Sequence, residues 1–108
     1  MLYMKDTMTD MSWPDIQRAA DENAIVLMPL GVIEEHGPQL CLGTDIYTAH
    51  EYCRRVTGLF EKEGRRVLLA PPFYLGVCPC TGGFLGSFPI RKAQPPALLY
   101  ALRHSPVA

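Results

Sequence analysis

Ala24-Ile25-Val26-Leu27-Met28-Pro29-Leu30 is a short, continuously apolar and partly β-branched stretch, the pattern of a strand covered on both faces in a parallel α/β sheet. Arg66-Val67-Leu68-Leu69-Ala70 is a second segment of the same kind, stopped by Pro71 and Pro72. Between them, from Asp45 onward, Ile46, Ala49, Cys53, Val56 and Phe60 recur at three- and four-residue steps, while Glu51, Arg54, Arg55 and Lys62 fall mostly off that stripe. This spacing predicts an amphipathic helix ending near Gly64. Strand, helix, strand is one βαβ unit, for which a right-handed crossover is expected. The fold class is therefore α/β with a parallel-sheet βαβ core.

Outward from that unit, Ser12, Pro14 and Asp15 make an S-x-x-D start with proline in the first turn, which predicts a short helix over about Trp13 to Asp21. Gly31, Gly37, Pro38 and Gly43 punctuate a long loop after the first strand. Residues Tyr74 to Pro89, rich in Gly and Pro with interleaved Phe and Cys, suit a shaped loop over a pocket, and Ala97 to His104 reads as the start of another helix. One βαβ unit cannot cover both faces of its own sheet, so the expectation for residues 1–108 is a single partial domain, belonging to a larger one or needing partner subunits.

At 48% hydrophobic and 19% charged residues, the 108-residue chain has the composition of a globular protein and should bury a core. Trp13 and Phe60 are the simplest core candidates, and Arg54, Arg55, Arg65 and Arg66 the simplest solvated ones. Ten Lys+Arg against eleven Asp+Glu give a net charge of -1, which leaves no basic field for nucleic acid or an anionic membrane surface. The longest apolar run, Ala24 to Ile33, is about half the roughly 20 residues that span a bilayer. The amino terminus has no basic start followed by an apolar stretch, so a cytoplasmic location is expected. In that setting Cys41, Cys53, Cys78 and Cys80 are expected as reduced thiols used as small apolar residues.

The densest polar cluster is Glu34-Glu35-His36, directly after the first strand, followed by Asp45 at the start of the long helix. Along an extended chain residues two apart point the same way, so Glu34 and His36 share one side and Glu35 takes the other. Asp45 falls at the carboxyl end of a parallel sheet, where α/β folds place their sites. Two carboxylates and an imidazole converging there suit zinc, manganese or iron(II), and such a metal lowers the pKa of a water and polarises a carbonyl, as amide hydrolysis requires. The plainer alternative has Thr44 and Asp45 capping the helix. His50, five residues beyond Asp45, is off its helix face and reads as a surface residue. Cys78-Pro79-Cys80 has one intervening residue instead of the two of a thioredoxin-like pair, and reads as pocket rim. A zinc module built on these thiols is a third possibility, and it requires thiolate ligation.

The stretch Pro29-Leu-Gly-Val-Ile-Glu-Glu-His-Gly-Pro-Gln-Leu-Cys-Leu-Gly-Thr-Asp45 resembles the signature of the creatininase (creatinine amidohydrolase) family, P-x-G-x-x-E-Q-H-G-P-H-L-P-L-x-T-D. Ser12-Trp13-Pro14 resembles the family's opening helix, Tyr74-Leu-Gly-Val77 its pocket loop, and Gly83-Phe-Leu-Gly-Ser-Phe88 its F-P-G-T/S segment. The resemblance implies a layered α/β fold and metal-dependent hydrolysis of non-peptide C–N bonds in cyclic or linear amides. It further implies a pair of divalent metals per site, Glu34 and His36 as ligands with Asp45 shared between the metals, and often an oligomeric assembly. Glu35, Gln39 and Cys41 stand where the family usually has Gln, His and Pro, and Leu85 where Pro is common. The family's second half, with a further His and acidic ligand, has no counterpart here, and His104 reads as an exposed terminal residue. The alternative to an amidohydrolase is thus a truncated or degenerate member that acts as a binding or assembly fragment.

Overall fold

The computed structural model describes residues 4–80, 83–87, 90, 94 and 96. A 3-10 turn at Met8–Asp10 precedes helix α1 (Trp13–Asp21), strand β1 (Ile25–Leu27), helix α2 (Thr44–Lys62) and strand β2 (Val67–Leu69). The two strands pair in parallel, with Ile25 opposite Val67, Val26 opposite Leu68 and Leu27 opposite Leu69. Strand, helix and parallel strand stand in the order the hydrophobic pattern predicts. The helix expected over 97–104, together with His104, lies outside the described residues.

Both helices end in the same way. Asn23 (φ 55°) and Gly64 (φ 75°) take the left-handed conformation just past α1 and α2. In α1 the N–H groups of Asn23 and Ala24 donate to the carbonyls of Ala20 and Ala19, and in α2 those of Gly64 and Arg65 donate to Glu61 and Phe60. This six-to-one, five-to-two pattern satisfies the last carbonyls of each helix and turns the chain sharply. In each case a strand begins within three residues. At the other end of α1, the Asp15 carboxylate accepts both the backbone N–H and the hydroxyl of Ser12, at 3.1 and 2.6 Å.

β2 is the buried strand. Val67, Leu68, Leu69 and Ala70 are all buried, with α2 packed on β2 through its buried Ile46 side. Val67, Leu68 and Leu69 each contribute roughly 1.5–3 kcal/mol on burial. β1 departs from the expected strand covered on both faces: Val26 is 50% exposed, and Met28 and Leu30 beyond it are exposed too. A single crossover helix covers one face of a two-stranded sheet and leaves the other open. Trp13 also departs from the core role expected of it, being 80% exposed; it occupies the first turn of α1, whose buried contact is made by Ala19. Phe60 is half-buried, and Arg54, Arg55, Arg65 and Arg66 are exposed as expected. Arg54 and Arg55 both pair with Glu51, and Arg66 with Glu22. All four cysteines are free thiols, of which Cys78 is buried, Cys53 half-buried, and Cys41 and Cys80 exposed.

The pairing continues past the regular ladder and carries the chain to the site. Pro29 has no N–H to donate, so the ladder breaks there, but its carbonyl accepts the Phe73 N–H at 2.9 Å. The Phe73 carbonyl in turn accepts Gly31 N–H at 3.0 Å, and Tyr74 accepts Ile33 N–H at 3.3 Å. Residues 30–33 therefore run alongside 73–74 and deliver Glu34-Glu35-His36 at the carboxyl end of the sheet.

Candidate metal centre

Two packing constraints bring the ends of a long loop together. Glu34 N–H donates to the Leu42 carbonyl at 3.2 Å, closing the loop between them. At Gly31 an added Cβ would lie 2.8 Å from the Ile46 nitrogen and 3.0 Å from the Asp45 carbonyl carbon. Those are backbone atoms, so only glycine lets the strand extension approach the first turn of α2 this closely. The consequence is that Asp45, although distant in sequence, faces His36.

Glu34, His36 and Asp45 present one carboxylate or imidazole atom each within 4.8 Å of one another. Ligands about 2.0–2.2 Å from a tetrahedral zinc lie roughly 3–3.5 Å apart, so modest side-chain adjustment closes this cluster on an ion. The Glu35 carboxylate is outside this group and accepts the N–H of Gly37, a residue at φ 81°. Among the described residues no cysteine joins such a group, which removes support from a thiolate-held zinc module.

The hydrogen bonds of His36 show that the cluster is suited to a cation. Nδ1 lies 3.0 Å from the Glu34 carbonyl oxygen and Nε2 lies 2.9 Å from Asp45 Oδ1. A carbonyl accepts and does not donate, so Nδ1 carries a proton. Nε2 then turns its lone pair toward a carboxylate, an arrangement that is repulsive unless a positive charge sits between them. A second proton on the ring would supply that charge, and accordingly the Glu34 carbonyl and the Asp45 carboxylate hold the His36 pKa above its usual value. A divalent ion supplies the charge equally well. An imidazole whose distal N–H is held by a backbone carbonyl is also the usual form of a metal-binding histidine. The donor set thus fits a divalent cation of the zinc, manganese or iron(II) type.

Asp45 is not the helix cap. Gly43 occupies that position, and the Thr44 hydroxyl donates to the Cys41 carbonyl at 2.6 Å. The Asp45 carboxylate, in the first turn, is thereby left to face His36. His50 differs from its expected surface role: it is a buried residue of α2, 8% exposed, and lines a cavity of about 490 Å³ with Thr7, Arg54, Thr57 and Glu61. Period alone did not reveal this, because the N-terminal segment that covers that side of α2 comes from elsewhere in the chain. None of Glu34, His36 and Asp45 lines the cavity. Of the loop expected over a pocket, Gly76 is buried and so close to Val32 that no Cβ fits between them, while Tyr74 and Val77 are exposed. Buried Cys78 and exposed Cys80 follow Gly76 in that loop.

Fold and site together define an α/β chain with a carboxylate and imidazole cluster at the carboxyl end of a parallel sheet. The model of the creatininase family, described as creatinine amidohydrolase, matches residues 9–105, and the chain belongs to that family. The family is one of amidohydrolases that are generally metal-dependent, and nothing in the match favours a degenerate, non-catalytic piece. No curated protein and no solved structure matches. Among the described residues, no helix is long and apolar enough to cross a membrane.

Proposed function

We propose that Glu34, His36 and Asp45 hold a divalent cation, and that the chain serves in hydrolysing a non-peptide C–N bond of a small cyclic or linear amide. The observation that carries this reading is the His36 imidazole with both ring nitrogens facing acceptors, beside two carboxylates within 4.8 Å. Zinc is the first candidate, with manganese and iron(II) suited to the same donors, and a second metal shared through Asp45 accords with the family pattern. A bound cation of this kind polarises the amide carbonyl and makes water a nucleophile near neutral pH.

The chain's own residues have definite parts in this. Glu34 and Asp45 contribute negative charge that offsets that of the ion. Asp45, held in the first turn of α2, sets its side of the cluster by the helix's packing on β2. His36 keeps its Nδ1 proton on the Glu34 carbonyl and so presents the Nε2 lone pair. Small amide substrate, assembly with further copies of the chain and a cytoplasmic setting complete the reading.

The decisive measurement is the metal content of the protein after stripping and refilling with zinc or manganese. One or two ions per wild-type chain are expected, with His36→Ala losing uptake and Cys80→Ala retaining it. An intact metal load in the His36 variant would falsify the assignment, and a wild-type ratio near zero would leave the family signature without its chemistry.

A further inference from the structure

Glu35 lies between two residues of the cluster, and its backbone is tied to a loop far along the chain. Its N–H donates to the Ser87 hydroxyl oxygen at 3.1 Å, across a separation of 52 residues. The peptide joining Glu34 and Glu35 is trans and planar, so the Glu35 N–H and the Glu34 C=O are opposite ends of one rigid unit. The carbonyl end of that unit is the acceptor for His36 Nδ1, at 3.0 Å. Holding the N–H end therefore fixes the direction of the carbonyl, and with it the imidazole that turns Nε2 toward Asp45.

Ser87 is placed for this by its own turn. Its N–H donates to the Phe84 carbonyl at 3.3 Å, and Gly86 before it has φ 88°. Phe84 and Leu85 at the tip are exposed, Leu85 at 98%, whereas Ser87 is half-buried. The turn thus has an outward apolar tip and one inward polar contact, which goes to the peptide between two residues of the cluster. A hydroxyl oxygen can accept this N–H; an alanine in its place cannot.

We infer that Ser87 is a positioning residue, which through the Glu34–Glu35 peptide orients His36 for metal binding. The inference rests on the metal-site reading above for its consequence, but not for its geometry. Partners one step removed from a metal commonly set affinity by 10–100-fold. Ser87 stands one step further out, behind the Glu34 carbonyl, so Ser87→Ala is expected to weaken zinc or cobalt(II) binding by about 10-fold, the lower end of that range. Ser87→Thr, which keeps the acceptor, restores binding to near the wild-type value, and Ser87→Cys, a weaker acceptor of similar size, falls between. In the metal-free protein, the His36 imidazole nitrogen resonances move in Ser87→Ala and return in Ser87→Thr. Unmoved His36 resonances in a folded Ser87→Ala or Ser87→Cys protein overturn the inference, as does unchanged metal affinity in either variant. If wild-type protein takes up no metal, the metal-site reading fails, while the His36 resonances still decide whether Ser87 orients the ring.

Discussion

Glu51 shows how a single exposed carboxylate ties stability to pH. It accepts from Arg54 at 2.8 and 2.9 Å and from Arg55 at 2.8 Å. These bonds, that of Arg54 foremost, hold its pKa at about 2 against an ordinary 4.5. A folded-state pKa below the unfolded value means that the stabilisation is fully present above pH 4.5 and is lost as the pH falls toward 2. Glu51→Gln should therefore lower the melting temperature slightly at pH 7 and merge with wild type near pH 2. The difference should shrink in 1 M salt, since the pair is solvent-screened; equal melting curves at pH 7 would refute it. At the proposed metal cluster, Glu34→Gln keeps the shape of the side chain and removes its charge. It is expected to reduce divalent affinity without changing the fold, as read by metal titration beside far-UV circular dichroism. Glu34, His36 and Asp45 were all visible in the sequence as chemistry-bearing residues. Ser87 was not, because its role passes through a peptide plane that sequence spacing does not display.

At the scale of elements, the contact between the β1 extension and the start of α2 decides whether the cluster exists. Gly31→Ala forces a Cβ against the Asp45 and Ile46 backbone, so that α2 must shift at its first turn. A cost of about 1–3 kcal/mol in urea unfolding is expected, with weaker metal binding in addition. Metal binding at the wild-type level would show that the approach is not required. Leu69→Ala, in the buried strand, should cost about 2–5 kcal/mol and leave the cluster's donors in place. The end of α2 was legible because Gly64 tolerates positive φ; Asn23 plays the same part past α1. The start of α2 was less so: Thr44 and Asp45 look like caps, yet Gly43 takes that place and Asp45 faces the loop instead. Loop closure by the Glu34 to Leu42 hydrogen bond, which no local propensity dictates, makes that difference.

For the molecule as a whole, an ion held as proposed by Glu34, His36 and Asp45 would bind the folded state alone, because the unfolded chain does not bring Asp45 to His36. Metal at 100 times its dissociation constant should then stabilise the protein by about 2.7 kcal/mol, an effect that chelation reverses and His36→Ala abolishes. A melting temperature indifferent to zinc and manganese would count against the cluster as a metal centre. The sequence by itself determined the α/β class, the order of helices and strands, and the residue types at the centre, since periodicity, turn residues and donor chemistry are local properties. Tertiary structure alone decided which face of β1 stays open, that Trp13 lies outside and His50 inside, that Asp45 meets His36, and that Ser87 meets the Glu35 N–H. Those outcomes depend on which distant segment covers which surface, and contacts between residues far apart in the chain leave no periodic trace in it.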